Sequence, residues 1–547
     1  MGFFETQIRA AAPTAADLQH RRWIFVPYDR FTDRTGPLAE QAAADTGIVI
    51  VESTAKALRR PYHKKKLVVL ISNMRQFALE QAARGVSVLY HFSDESHGQA
   101  LLSLQRQAGL PALTVMQPAE RELRVDLAQA VAQGLALNFV ADTTWASQPE
   151  DFLAVFGKYK AGKSYVMDRF YRRMRQQTGV LMDGGKPVGG KFSFDAENRL
   201  PYRNQVPVPR PPRFAPDATT AEVIAMVAER YPQHFGNIEN FDLPCTQQQA
   251  DEAWRFALKH LLPHFGPYED AMRDDQLQLF HSKTSVLLNL GRLLPLDLIG
   301  DVAKAANAGD IPMASAEGFI RQLLGWREFM RHLHEQTDGY RLPTGSAAEK
   351  SGNDLYAGAN PSALGAALPL PAAYWGVKSG LHCLDTCVQQ VIDEGWTHHI
   401  PRLMVLSNLA TLCGFSPREL TDWFWFGYID AYDWVVEPNV LGMATYADGG
   451  LTATKPYVSG AAYINRMSNF CGHCQYDPKQ SVGDDSCPFT ALYWTFLERN
   501  EAVLGTNFRM QMPYTTLHQK KPEELVQLRA RAAAAISHLH SLRRPGS

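Results

Sequence analysis

Near its C-terminal end the chain reads NFCGHCQYDPKQSVGDDSCPF, from Asn469 to Phe489. Three of its seven cysteines stand here, Cys471, Cys474 and Cys487, spaced C-x2-C-x12-C. Two intervening residues let the first pair turn tightly onto one metal, and a hydrophilic loop lets the third thiol return to the same point. Three thiolates leave a tetrahedral set one short, so a fourth ligand must come from elsewhere. The chemistry is structural zinc, held by four thiolates or by three and an imidazole such as His473, or an iron–sulfur cluster, to which the Cys487–Pro488 step also points. Free thiols are the third reading.

Four other stretches bear chemistry. WFWFGYIDAYDWVVEPNVLGM, from Trp423 to Met443, sets Asp430, Asp433 and Glu437 among three indoles, where carboxylates are costly to bury without donors. They are helix caps beside a core, or the polar part of a wall around a planar conjugated ligand. GWTHHIPRLMVLSNLATLCG carries His398 and His399. Adjacent imidazoles diverge by about 100° on a helix and seldom ligate one metal. They form a satisfied pair, or one faces a pocket and donates a proton. In LFHSKTSVLLNLGRLLP, Ser282, Lys283, Thr284 and Ser285 precede an apolar helix, as an N-cap cluster or a phosphate-binding helix start. GKYKAGKS, Gly157 to Ser164, fits the G-x-x-x-x-G-K-[ST] phosphate loop, which works only after a buried strand. The preceding EDFLAVF is short and partly acidic, so the stretch reads as a basic loop.

These residues need scaffolds. Between residues 22 and 142, RWIFVPY, IVIVE, SVLYHF, LTVMQP and LNFVAD read as buried strands. HKKKLVVLISNMRQFALEQAARG, SHGQALLSLQRQAG and AERELRVDLAQAVAQG read as helices that end at Gly. This alternation predicts a doubly wound parallel sheet, without the GxGxxG of a dinucleotide site. The segment KPVGGKFSFDAENRLPYRNQVPVPRPPRFAPDATT reads as an irregular connector. From about residue 246 strands disappear: Trp254, Ala257, Leu258 and Leu261 share one helical face, and similar periodicity recurs to the end. The expected units are a loose extension (1–21), an α/β domain (22–150), a connector with a basic run (151–245) and an all-α domain (246–547).

Composition agrees with an ordinary globular protein, 45% hydrophobic and 20% charged. No apolar run approaches the length of a membrane span, and the start lacks a secretion signal. Seven scattered and clustered cysteines are not a disulfide framework and suggest a reducing, cytoplasmic compartment. A net charge of −1 means that any nucleic-acid surface must be a local patch.

Taken together, YHKKKLVVLISNMRQFA, VLMDGGKPVGGKFSFDAENR, RQLLGWREF, HHIPRLMVL, YIDAYDWVVEPNVLGMATYADGG and TKPYVSGAAYINRMSNFCGHC resemble the photolyase/cryptochrome superfamily, specifically its iron–sulfur bacterial branch. The similarity runs from about residue 22 to 520. It implies an N-terminal antenna domain and a helical domain that holds FAD in a folded, U-shaped form. It also implies a four-iron, four-sulfur cluster on Cys383, Cys471, Cys474 and Cys487, with Cys383 chosen over Cys387. By the same resemblance Tyr268, Ser282 and Ser285 line the FAD phosphates and ribityl chain. Arg327 and Arg402 belong to the pocket, Asp430 or Asp433 pairs with Arg402, and Glu437 or Asn439 sits near the flavin N5. Trp375 and Trp423 relay electrons, and His399 with His398 forms the catalytic pair.

The implied partner is UV-damaged bacterial DNA, met by a monomer, with phosphate contacts from Lys158, Lys160, Lys163, Arg169, Arg172, Arg173 and Arg175. A solvated helix face is the plainer reading of that run. The implied activity is light-driven repair of the pyrimidine (6-4) photoproduct. The runner-up is a cryptochrome-type photoreceptor, and the third reading is a nucleic-acid binding protein without photochemistry. Related proteins commonly bind a lumazine antenna, but Lys56 and Arg59 stand where acidic and aromatic residues are more usual, which argues against it or for another chromophore. Asp195 and Glu197 are candidates to hold a divalent cation near DNA.

Overall fold

A computed structural model describes residues 2–344 and 358–544. Helix α1 (Phe3–Arg9) precedes a sheet of strands β1 (Arg22–Phe25), β2 (Thr46–Ser53), β3 (Ser87–Ser93), β4 (Leu113–Met116) and β5 (Leu137–Val140). All strand pairs are parallel and the order is β3-β2-β1-β4-β5, reversing at β1 as doubly wound sheets do. The apolar runs of β1, β2 and β4 form its core, with Ile48, Val49 and Ile50 fully buried; contrary to expectation β5, at the sheet edge, is largely exposed, and β3 is buried only at its start. Crossovers are helices α2 (Lys64–Ala83), α3 (His97–Ala108) and α4 (Arg121–Ala132).

The N-terminal extension is not loose. Phe4 is fully buried, its ring 4.7 Å from that of Tyr90 and beneath the Arg75 guanidinium, and its N–H donates to Glu222 at 2.9 Å. Phe4, placed over a cation-bearing helix, and the buried Ile8 one turn on anchor the segment.

The connector is only partly irregular. It contains α5 (Pro149–Phe156), α6 (Met167–Thr178) and α7 (Ala218–Arg230); between the last two lie a short hairpin and 3-10 turns. Because α5 is a helix, GKYKAGKS follows no strand, and the phosphate-loop match has no structural basis.

Beyond residue 246 the described residues form no extended strand, as the periodicity predicts. The two domains are fastened by the HKKK stretch that opens α2. The buried Lys66 ammonium donates to the carbonyls of Trp425 at 2.8 Å and Ala431 at 2.5 Å, and Lys65 pairs with Glu394 at 3.2 Å. His63 bridges to the Ile392 carbonyl, and an added Cβ on Gly236 (φ +70°) would lie 2.0 Å from its Nε2, so the close approach requires glycine there. Among the described residues no helix is long and apolar enough to cross a membrane.

Candidate functional site

A cavity of about 330 Å³ opens within the helical domain. Three of its walls come from segments wound as π-helix: Arg321–Arg327 supplies Gln322, Trp326 and Arg327, Pro401–Ser407 supplies Arg402 and Ser407, and Glu437–Ala444 supplies Asn439, Val440 and Met443. Wider π-turns recur at functional sites because they re-aim side chains that a regular helix would bury. The fourth wall is the loop His281–Ser285, where Lys283 has φ +54°, a conformation uncommon outside glycine.

The hydroxyls of that loop are not spent on capping. The helix Ser285–Asn289 has no side-chain cap; Ser285 donates to Asp430 at 2.6 Å, and Ser282 bonds Thr284 at 2.8 Å. Asp430 also receives both guanidinium nitrogens of Arg402, at 3.1 and 3.0 Å. Burial would raise its pKa, but Arg402 and Ser285 outweigh burial and hold the carboxylate below its usual range.

His398 and His399 both line the cavity. They can do so because the helix begins at His399, leaving His398 in non-helical backbone, so the divergence expected on a helix does not apply. His281, which the sequence reading passed over, stacks on His398 with centroids 4.2 Å apart. Burial pushes His281 down to about 3 and His398 well below the ordinary imidazole range. His399 opens onto the cavity, yet its surroundings and Arg402 lower it to about 4.

The structure separates other expected residues from the cavity. Glu437 turns away to His334 at 2.8 Å and Arg418 at 2.9 Å, because Val436, Asn439, Val440 and Met443 repeat at helical spacing and Glu437 falls off that face. Of the pair offered for N5, only Asn439 is on the wall. Asp433 caps the domain interface, accepting from the Glu122 N–H at 3.2 Å, and does not meet Arg402. Tyr268 lies in a satellite cluster with Tyr202 and Phe280. Trp423 is fully buried behind Phe424, 5.2 Å between rings, with its indole N–H on the Tyr374 carbonyl; Trp375 is half-buried under Arg544. Neither touches the cavity. Besides His281, sequence reasoning missed Asn289, Trp326, Trp396 and Trp434; only the nearness of His281 to Ser282 could have signalled one of them.

The cavity's chemistry suits a flavin dinucleotide. Lys283, Arg327 and Arg402 face it against the one acid Asp430, an excess of positive charge that fits a pyrophosphate. Burial lowers Arg327 to about 9. Four buried atoms on its lining residues have no protein partner: Arg327 Nε, His281 Nε2, His398 Nδ1 and Trp396 Nε1. Buried polar groups without partners mark a place where a ligand's acceptors and donors are expected.

A second, closed cavity is lined by Cys383, Cys471, Cys474 and Cys487 with Leu381, Ala461, Ile464, Phe470 and Phe489. Cys387 lies outside it, and burial raises its thiol. His473 also lies outside and bonds Asp274 instead, which removes the zinc alternative of three thiols and that imidazole. Among the described residues, no three of these sulfurs lie within 4.8 Å of one another. One tetrahedral zinc with bonds of about 2.3 Å needs sulfurs about 3.8 Å apart.

Lys158, Lys160, Arg169, Arg172 and Arg173 are exposed around α6, Arg172 paired with Asp168. Lys163 is half-buried with its ammonium on the Phe156 carbonyl, and Arg175 is buried, donating to Val180, Leu181 and Phe192 carbonyls. These two are structural. Asp195 pairs with Arg199 and Arg321, and Glu197 with Lys191, and both carboxylates are half-exposed. At the carboxyl ends of the sheet strands a crevice of about 60 Å³ is lined by Tyr28, Tyr62, Trp425 and Tyr432. There Lys56 is neutralised by Glu120 at 3.0 Å and Glu122 at 2.9 Å.

Residues 24–243 match the model of the deoxyribodipyrimidine photo-lyase-related protein family. A (6-4) photolyase of Agrobacterium fabrum is 38% identical over 499 residues, 90% of this chain and 94% of that protein. The chain belongs to the photolyase/cryptochrome family. Solved structures agree in fold: a bacterial class III photolyase from Agrobacterium tumefaciens (TM-score 0.50, 14% identity, 95% of this chain and 98% of that one) and a cryptochrome of Synechocystis (TM-score 0.51, 14% identity, 94% and 98%). The photolyase family implies FAD, and the basic lining of the large cavity, with its unpartnered buried polar atoms, is compatible with such a group.

Proposed function

We propose that the protein is a DNA photolyase that repairs the pyrimidine (6-4) photoproduct in UV-damaged DNA. The observation that carries this reading is the meeting of three imidazoles, His281, His398 and His399, with the basic, partner-seeking groups of the cavity in one open pocket. Lys283, Arg327 and Arg402 would hold the FAD, which in reduced form would supply light-driven, reversible one-electron chemistry toward the lesion with no net oxidation.

The chain's own residues do the rest. Arg402, braced by Asp430, and Arg327 hold negative charge against the cavity wall. His399 would deliver a ring N–H proton to the group transferred in the lesion, which lets that group return, and would recover a proton as the two intact bases are restored. Burial and Arg402 lower this imidazole to about 4, so the negative charge of a bound cofactor and lesion would have to raise its pKa for it to act as an acid at neutral pH. His281, stacked on His398, fixes the orientation of that ring. Trp423, whose ring meets Phe424 of the cavity wall and the buried Tyr374, is the inner member of the route for electrons that restore the reduced flavin, and the half-buried Trp375 is the outer one. Extrusion of the damaged dinucleotide costs less than for intact bases, because lesions stack poorly. Lys158, Lys160, Arg169, Arg172 and Arg173 contact phosphates; α6, which carries the three arginines, packs through Met167 and Tyr171 against Gly325, in the segment bearing Trp326 and Arg327.

We further infer a four-iron, four-sulfur cluster on Cys383, Cys471, Cys474 and Cys487, with a structural role. The closed apolar cavity and the wide sulfur spacing support it over a single zinc. An antenna chromophore, lumazine or another, is best matched by the aromatic sheet crevice. We assign the protein to the bacterial cytoplasm as a monomer.

Reduced protein incubated with a (6-4)-containing oligonucleotide under blue light tests the reading. Restored thymines are expected. Flavin photoreduction without restored thymines would favour the photoreceptor.

A further inference from the structure

We propose that Asp274, His382 and His473 form a binding site for one divalent transition ion of the zinc type, outside the cysteine cavity and bracing the segments that carry its thiols. The three residues come from separate parts of the chain: the irregular stretch after Leu262–Phe265, the first residue of the helix His382–Glu394, and the 3-10 turn Phe470–His473. Their ligand atoms all lie within 4.8 Å of one another, which among the described residues holds for no other group of three such side chains.

The geometry is convergent. His382 Nε2 lies 3.0 Å and His473 Nδ1 2.5 Å from the same Asp274 oxygen, with the rings 5.7 Å apart and nearly perpendicular. Asn469 holds the other carboxylate oxygen through its side-chain amide and receives the Asp274 N–H at 3.1 Å, an outer pair of bonds that fixes the carboxylate's direction. Ligand bonds of 2.0–2.2 Å in a tetrahedron set donor atoms about 3.3–3.5 Å apart, so an ion enters with a widening of about 1 Å or less. Two imidazoles and one carboxylate are a borderline donor set that suits zinc and not magnesium, which prefers all-oxygen octahedra. The side chain of His473 is 61% exposed, which gives the ion an entry path and leaves room for water as the fourth ligand. The neighbouring Asp275 is held by Arg273 at 2.5 and 2.7 Å and does not compete.

The placement gives the ion a purpose. His473 stands between Cys471 and Cys474, and His382 directly precedes Cys383. An ion there ties both thiol-bearing segments to the stretch that runs on to Ser282, linking the cysteine cavity to the flavin cavity's loop.

The test uses the full-length protein with its iron. It is dialysed against a chelator, equilibrated with micromolar ZnCl2 and freed of unbound ion, and zinc and iron are then measured separately. One zinc per chain is expected, retained in millimolar Mg²⁺, with nitrogen and oxygen but no sulfur neighbours by zinc-edge absorption. Asp274→Asn and the surface variant His473→Ala should each lose that zinc with iron unchanged. Wild type without zinc, variants that retain it, or sulfur around the zinc would each overturn the proposal. Wild-type protein that binds this zinc but carries no iron would count against the cluster reading and leave this one standing.

Discussion

The His281 imidazole lies on that of His398, centroids 4.2 Å apart and planes within 16° of parallel, and each ring keeps one buried nitrogen without a protein partner. Burial, His399 and Arg402 disfavour their charged forms, so the trio formed with His399 is neutral at pH 7 in the free protein. A proton donor made competent only by its ligands has a diagnostic pH profile. Single-turnover repair should fall as pH rises through the ligand-raised pKa of His399, because the charged form is active. His399→Ala should lower repair by about 10²–10⁴-fold and abolish that limb while flavin absorbance is retained. Repair by His399→Ala at the wild-type rate would remove it from the proton-donor role.

Arg402 and Asp430 form the two-pronged bridge that closes the cavity beside Ser285. Asp430→Asn leaves a half-buried guanidinium facing a neutral amide. A loss of about 3 kcal/mol in urea unfolding is expected, at the lower end for a broken buried pair, together with weaker flavin retention. Unchanged midpoint and flavin content would mean that the bridge is incidental.

The architecture was legible because sheet and helices follow one rule each: continuous apolar runs became parallel strands, and periodicity of 3.6 became the helical domain. Within the site, legibility tracked backbone regularity. Ser282, Ser285, Arg327, Arg402, Asp430 and Asn439 reached the cavity as expected. Glu437 did not, although helical phase alone puts it off the face of Asn439 and Met443. His281 and Trp396 were hidden because they sit in irregular backbone, where no periodicity says which way a side chain points. The docking of Phe4 was less legible for a related reason: its short helix buries only Phe4 and Ile8, and two residues are too few to mark a face.

Trp423 has its indole N–H on the Tyr374 carbonyl and its ring between Phe424 and Tyr374. Trp423→Phe should slow light-driven reduction of oxidised flavin and leave repair by chemically reduced protein unchanged. Transient absorption reads the first, and product analysis the second. Equal photoreduction in both proteins would exclude this route.

Cys487 lines the cysteine cavity and Cys387 does not, though both are buried. Cys487→Ser should lose iron and solubility, whereas Cys387→Ser should keep its iron by metal analysis. Iron retained in the first variant would refute that ligand.

His63 joins the domains through two bonds that demand a neutral ring. Its Nδ1 accepts the Lys65 N–H at 3.0 Å, so its Nε2 must donate to the Ile392 carbonyl, also at 3.0 Å. Burial lowers its pKa to about 4, against the Ile392 bond and with help from Lys65 and Lys64. Below its ordinary pKa of about 6.5 the unfolded chain takes up a proton that the folded chain refuses, so this group's contribution is present above pH 6.5 and is lost as pH falls toward 4. Between pH 7 and 5 the loss is about 2 kcal/mol. Other buried groups act in the opposite sense: Glu269, raised to about 7 by burial, favours the folded state as pH falls. The effect must therefore be read as a difference. His63→Gln keeps an amide donor and acceptor but does not titrate. Its stability deficit relative to wild type in urea should shrink by about 2 kcal/mol on going from pH 7 to pH 5. A deficit that stays constant with pH would mean that His63 is protonated in the folded protein, and that the interdomain joint rests on other contacts.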